Sequence, residues 1–266
     1  MIPLIRLHTI IALLLICPLG LVVPAHAETS EFSTVKSEVW EHLSKLAKKH
    51  SSEPVKLGHP PIQLECFNLK DQDLYMGFKQ VMEINASIKR IESVISDFET
   101  YPDIFLDLAE TKVISKNSNL SKIYWEQSIP LPLIPNIKYE MIYSYETPAN
   151  KQRLIHYHLH ESGKIKFSDG FILLKELSDS KTLYIEYDFF DAEWGPAKIL
   201  GKNKLWKDAL EGLAHSDLAI KLKSENAEWK SDQIRGEASR WVETPELHDY
   251  MAECVKDKIL FRLNAL

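Results

Sequence analysis

The stretch that most constrains this chain is residues 200–222. Projected at about 100° per residue, Trp206, Ala209, Leu210, Leu213, Ala214 and Ile220 fall within one arc. Lys204, Lys207, Asp208, Glu211 and His215 fall on the other side. That pattern predicts a helix with one buried face. Between residues 77 and 191 the sequence reads as one shorter helix and then a run of strands. A long helix that follows a strand run has one partner broad enough for its apolar face, the concave side of the sheet. The expectation is an α+β chain in which a curved antiparallel sheet grips a helix.

The preceding elements follow from capping and alternation. Residues 31–49 carry apolar side chains at helical spacing among many charges. Residues 51–61 form a linker, broken by Pro54, Gly58, Pro60 and Pro61. A short strand is expected at 62–70 and another at 78–85. Ser87 is placed to cap a helix over 88–97, with Tyr101-Pro102 ending it. Strands are then expected at 112–115, 122–129, 137–145, 153–160, 164–174 and 182–191. Two show clean alternation: Ile137, Tyr139, Met141, Tyr143 and Tyr145 share one face, and Leu183, Ile185, Tyr187 and Phe189 share another.

In this order the chain resembles the START-like, helix-grip superfamily of lipid-binding and polyketide-cyclase domains. Four stretches carry the likeness. They are the strand, helix and Tyr-Pro of residues 78–102; Ile129-Pro130-Leu131-Pro132 ahead of Tyr139; Asp169-Gly170 ahead of an apolar strand; and the strand from Tyr184, Trp194-Gly195-Pro196 and the last long helix. The animal lipid-transfer members often carry Arg-Asp after the proline; residues 130–139 here lack it. The resemblance implies a helix-grip fold over residues 76–227; around it the sequence itself reads as a signal peptide (1–27), an N-terminal helical extension and linker (28–75) and a C-terminal helical tail (228–266). The resemblance also implies an apolar tunnel between sheet and helix that holds a lipid or polycyclic ligand. The residues expected to line it are Tyr139, Met141, Tyr143, Tyr157, Phe167, Asp169, Phe171, Tyr187 and Phe189 from the sheet, and Trp206, Leu210, Leu213 and Asp217 from the helix. The large tyrosines suit a pocket with sparse polar groups; a solid, Tyr-rich core is the alternative.

The N-terminus sets the expected address. Arg6 precedes the apolar run 9–23, and Ala25-His26-Ala27 follows. That reads as a cleaved secretory signal, with the mature chain starting at Glu28 in an exported, periplasm-like compartment. Two of the three cysteines, Cys66 and Cys254, lie beyond it. In an oxidising compartment they either pair, stapling the two extensions together, or remain separate thiols. With 32 basic and 38 acidic residues, the chain offers no concentrated positive surface for a nucleic acid. Nothing in the sequence points to a cofactor or sets an oligomeric state.

Three groups invite a chemical reading. His156, His158 and His160 alternate on one strand, as metal ligands sometimes do. A three-residue loop at 161–163 turns them outward and puts Tyr157 on a face with Phe167. A two-residue loop slips the register by one and turns them into the grip, with His156 beside Asp169. The glycine at 163 suits the first. Asp217 falls inside the helix's apolar arc, where a charge is costly without a partner. It is either a polar anchor paired with Lys221 or turned to solvent by a bend near Gly212. Arg153, if inward, would meet Asp169 or Asp217. Finally, residues 129–135 place three prolines among four aliphatic side chains, so they form a loop or edge rather than a central strand. They either seal the core or form an exposed apolar mouth that makes transient membrane contact. The combined expectation is a protein that binds a hydrophobic ligand for carriage or sensing. A cyclase or hydrolase in the same cavity and a partner-binding module with a filled core are its rivals.

Overall fold

A computed structural model of the chain describes residues 62–69, 75–128, 135–165, 167–191, 202–256 and 259–261. All of them lie in the larger of two compact units, Lys36–Leu266. The strands are β1 (Gln63–Leu69), β2 (Tyr75–Ile84), β3 (Leu108–Lys116), β4 (Leu120–Gln127), β5 (Ile137–Glu146), β6 (Gln152–Ser162), β7 (Ser168–Ser178), β8 (Lys181–Asp191) and β9 (Ile259–Phe261). The helices are α1 (Ile88–Ile95), α2 (Tyr101–Ile104), α3 (Lys202–Glu225), α4 (Ser231–Val242) and α5 (Pro245–Lys256). The fold is α+β, with α3 held by a curved, open sheet whose strands run β3-β4-β5-β6-β7-β8-β2-β1-β9. Neighbours pair antiparallel, except that β9 lies parallel to β1.

Local chemistry accounts for most of these elements. Ser87 caps α1, its Oγ accepting the Arg90 N–H at 3.3 Å. Ile91, Val94 and Ile95 form the buried stripe of that helix. Tyr101-Pro102 does not simply stop it: the proline sits in the first turn of α2, where its missing N–H leaves no bond unmade. In β5, Ile137, Met141, Tyr143 and Tyr145 are buried, as their alternation requires.

The long helix departs from the one-faced pattern. Trp206 and Leu210 are buried against the sheet side, and Phe78 of β2 meets the Trp206 ring at 5.3 Å, edge to face. His215, read from sequence as solvent-facing, is fully buried: its Nε2 lies 3.2 Å from Ser239 Oγ and 3.3 Å from the Arg235 carbonyl of α4. So α3 is sandwiched between the sheet and the C-terminal helices. Cys66 of β1 and Cys254 of α5 are joined in a disulfide, which ties that helical layer to the sheet. Of the proline-rich segment, residues 129–134 lie outside the described residues, as do residues 1–27, expected from sequence to be an export signal.

Candidate functional site

Register decides what faces the helix. On β8, Tyr184 Oη lies 2.8 Å from Asp217 Oδ1 on α3 and 2.8 Å from Glu186 Oε2. Side chains alternate along a strand, so Tyr184, Glu186 and Asp188 point into the grip. Leu183, Ile185, Tyr187 and Phe189 point to the convex face. The neighbours agree. Opposite Glu186 on β2 stands Gln80, and opposite Asp188 stands Phe78. On β6, Tyr157 points inward and donates to Glu186 Oε1 at 2.7 Å. Gly170 of β7 is opposite Tyr157, and a Cβ there would lie 2.4 Å from the Tyr157 ring and 2.5 Å from the Tyr187 carbonyl oxygen. The glycine is what lets the tyrosine lie across β7 to reach Glu186.

The expected lining residues therefore divide. Tyr139, Met141, Tyr143 and Tyr157 face the helix from the sheet, and Trp206, Leu210 and Asp217 are buried on α3, with Leu213 half-buried. Phe167, Asp169, Phe171, Tyr187 and Phe189 are buried on the opposite, convex face. There Phe171 stacks on Tyr187 at 5.2 Å, and the Lys79 ammonium lies 5.9 Å from the Tyr187 ring. The physical reason is that β7 and β8 are buried on both faces. The more apolar face is then no guide to the one that meets the helix.

The histidines point out of the grip, as the glycine at 163 suggested, but by another route. The chain from Gly163 to Phe167 makes a connection longer than either hairpin considered. His156 comes opposite Phe171 and His158 opposite Asp169. Tyr157 and Phe167 consequently lie on different faces. His156 is buried there, and burial lowers its pKa. Among the described residues no group of His, Cys, Asp and Glu is arranged to hold a metal ion. Arg153 pairs with Glu92 of α1, at 2.7 and 2.9 Å, rather than with Asp169 or Asp217. Lys221 pairs with Glu225 and the Glu83 carbonyl oxygen, not with Asp217.

Asp217 itself is not turned to solvent: it is only 2 % exposed. Burial, reinforced by the Glu186 carboxyl, holds its pKa well above the usual carboxylate range. Burial likewise raises Asp188, aided by Glu186 and Asp169 and opposed by a bond from the Phe189 N–H. Hydrogen counting points the same way. Tyr184 has one phenolic proton and two carboxyl neighbours. Both contacts are hydrogen bonds only if one carboxyl keeps its proton and donates it to the phenol oxygen. Asp217, raised by its surroundings, is the group that keeps it.

Around this cluster the walls are apolar and aromatic. Tyr143 and Tyr157 rings lie 5.7 Å apart, Phe98 packs on Tyr143 at 4.8 Å, and Trp125 stacks on Tyr139 at 6.0 Å. Sequence reasoning missed Gln80, Tyr184, Glu186 and Asp188. The available signal was the spacing Tyr184-x-Glu186-x-Asp188 within an otherwise apolar strand, matched by one acidic residue inside the helix's apolar arc.

No protein-family profile matches the sequence, and no curated protein matches it by sequence. Solved structures do match. Human STARD10 superposes with a TM-score of 0.51 at 13 % identity, over 84 % of this chain and 89 % of that one. The lipid transfer and protein localization domain of human StarD13 gives 0.49 at 12 % identity, over 70 % and 96 %. The Zhui aromatase/cyclase from Streptomyces sp. R1128 gives 0.44 at 14 % identity, over 64 % and 97 %. The sheet order and the gripped helix described above are those of the helix-grip fold, which this chain shares with human STARD10.

Proposed function

We propose that the protein binds a hydrophobic small molecule, a lipid in the simplest case, between the concave face of the sheet and α3. It shields that molecule from water for carriage or sensing. The observation that supports this most is the composition of the grip: one buried polar cluster, Tyr157–Glu186–Tyr184–Asp217, set among aromatic and aliphatic walls. Such a wall with a few polar groups is how proteins orient amphiphiles. Each methylene removed from water contributes about 0.8 kcal/mol, so an acyl chain alone supplies useful affinity.

The reading extends to address and delivery. Residues 1–27 act as a cleaved export signal, and the segment 129–135 forms a membrane-contacting mouth. Leu131→Asp combined with Leu133→Asp should leave a folded protein that exchanges ligand slowly with liposomes; unchanged exchange would remove the mouth. For binding itself the test is titration with a pyrene-labelled long-chain alcohol. Saturable uptake of one probe per chain is expected, and no uptake at all would reject the proposal.

A further inference from the structure

The grip holds three carboxyls, Glu186, Asp188 and Asp217, and among the described residues no lysine or arginine pairs with any of them. Burying charge without a counter-charge is expensive, which is why Asp217 and Asp188 are held towards their protonated forms; a cation beside them would let them ionise. A second, independent feature sits beside them. Gln80 is 1 % exposed and stands on β2 directly opposite Glu186 of β8, on the same face, and among the described residues neither its Oε1 nor its Nε2 has a hydrogen-bond partner. Among the described residues Asp188 Oδ1 and Asp217 Oδ2 are likewise without a donor. Buried amides and carboxyls in folded proteins are nearly always satisfied. Three acceptors on facing elements, together with an idle amide, mark a place built for a group that the protein itself does not supply.

Resting on the hydrophobic-ligand reading above, we infer that the headgroup recognised here is a protonated amine, carried on a single apolar chain. The chemistry follows from the inventory. An ammonium brings three N–H donors and one positive charge. The cluster offers Gln80 Oε1, Asp188 Oδ1 and Asp217 Oδ2 as acceptors, and no cation among the described residues pairs with it. Gln80 Nε2 remains as a donor for a hydroxyl or carbonyl oxygen next to the amine. An anionic head, whether carboxylate or phosphate, would meet three carboxyls and no compensating charge. A neutral alcohol would satisfy some acceptors but bring no cation to stabilise the carboxyls in their ionised form.

The test compares dodecylamine, dodecanol and dodecanoate, each below its micellar concentration, by calorimetric titration of the intact chain at neutral pH. The inference expects the amine to bind at least tenfold tighter than the alcohol, with the carboxylate weakest. It expects Glu186→Gln to shrink the amine-to-alcohol ratio by tenfold or more. Equal affinity for all three, or preference for the carboxylate, overturns the amine assignment while leaving the hydrophobic-ligand reading standing. Binding of none of the three rejects both. The comparison among ligands on the unmodified protein decides the matter even if Glu186→Gln does not fold.

Discussion

Asp217 shows most directly how a side chain can be placed against its own solvation preference. Its folded-state pKa is raised, chiefly by burial. A carboxyl of this kind contributes fully to stability below its unfolded pKa, and the contribution is lost as pH rises through the folded value. Asn keeps the shape and does not titrate. Asp217→Asn is therefore expected to melt above the wild type at pH 8, and the advantage should vanish near pH 4. A gain of about 1 kcal/mol would appear as roughly 2–4 °C in a domain of this size. A melting difference that is flat with pH, or that turns against the variant as pH rises, would show that Asp217 is not held protonated. Gly170 provides a steric counterpart. Gly170→Ala drives a methyl into Tyr157 and the Tyr187 carbonyl. The expected loss is about 1–3 kcal/mol, measured by urea unfolding, together with loss of the Tyr157–Glu186 bond. Wild-type stability would mean that Tyr157 does not lie across β7.

At the scale of elements, the packing of α4 on α3 has its own signature. Burial of His215 lowers its pKa to about 4. A depressed histidine contributes stability above its unfolded value, near 6.5, and loses it as pH falls through the window down to about 4. The stability difference between wild type and His215→Gln should therefore be largest at pH 7.5 and shrink by pH 4.5. No change across that window would mean that the ring is not enclosed by Ser239 and Arg235. The same helix shows where sequence reading succeeded and where it stopped. The alternation of β5 gave the inward set Tyr139, Met141 and Tyr143, because that strand has one strongly apolar face. The β8 alternation misled, because Leu183, Ile185, Tyr187 and Phe189 are buried on the convex side while Tyr184, Glu186 and Asp188 carry the polar cluster. A strand covered on both faces gives no periodic contrast, and only the pairing register tells its faces apart. For His215, the cover came from residues 231–242, whose docking no local pattern in α3 announces.

For the whole molecule, the expected helix-grip order emerged because it rests on the sequence of elements rather than on any single side chain. The flanks join the same body: β1 and β9 extend the sheet, and the Cys66–Cys254 disulfide links β1 to α5 across 188 residues. Closing so long a loop restricts the unfolded chain by about 5 kcal/mol in the chain-entropy picture. Cys66→Ser with Cys254→Ser is expected to lower the urea midpoint markedly under oxidising conditions and to make stability insensitive to reductant. A wild-type protein equally insensitive to reductant would argue against the link.

The central claim is that the space between sheet and α3 holds a hydrophobic guest. Its most direct measurement is native mass spectrometry of the protein purified from its own host, before and after organic extraction. The account predicts a discrete added mass on the intact chain that extraction removes and returns as an apolar small molecule. A chain that flies at its bare polypeptide mass before extraction, and yields no apolar compound to solvent, would contradict it.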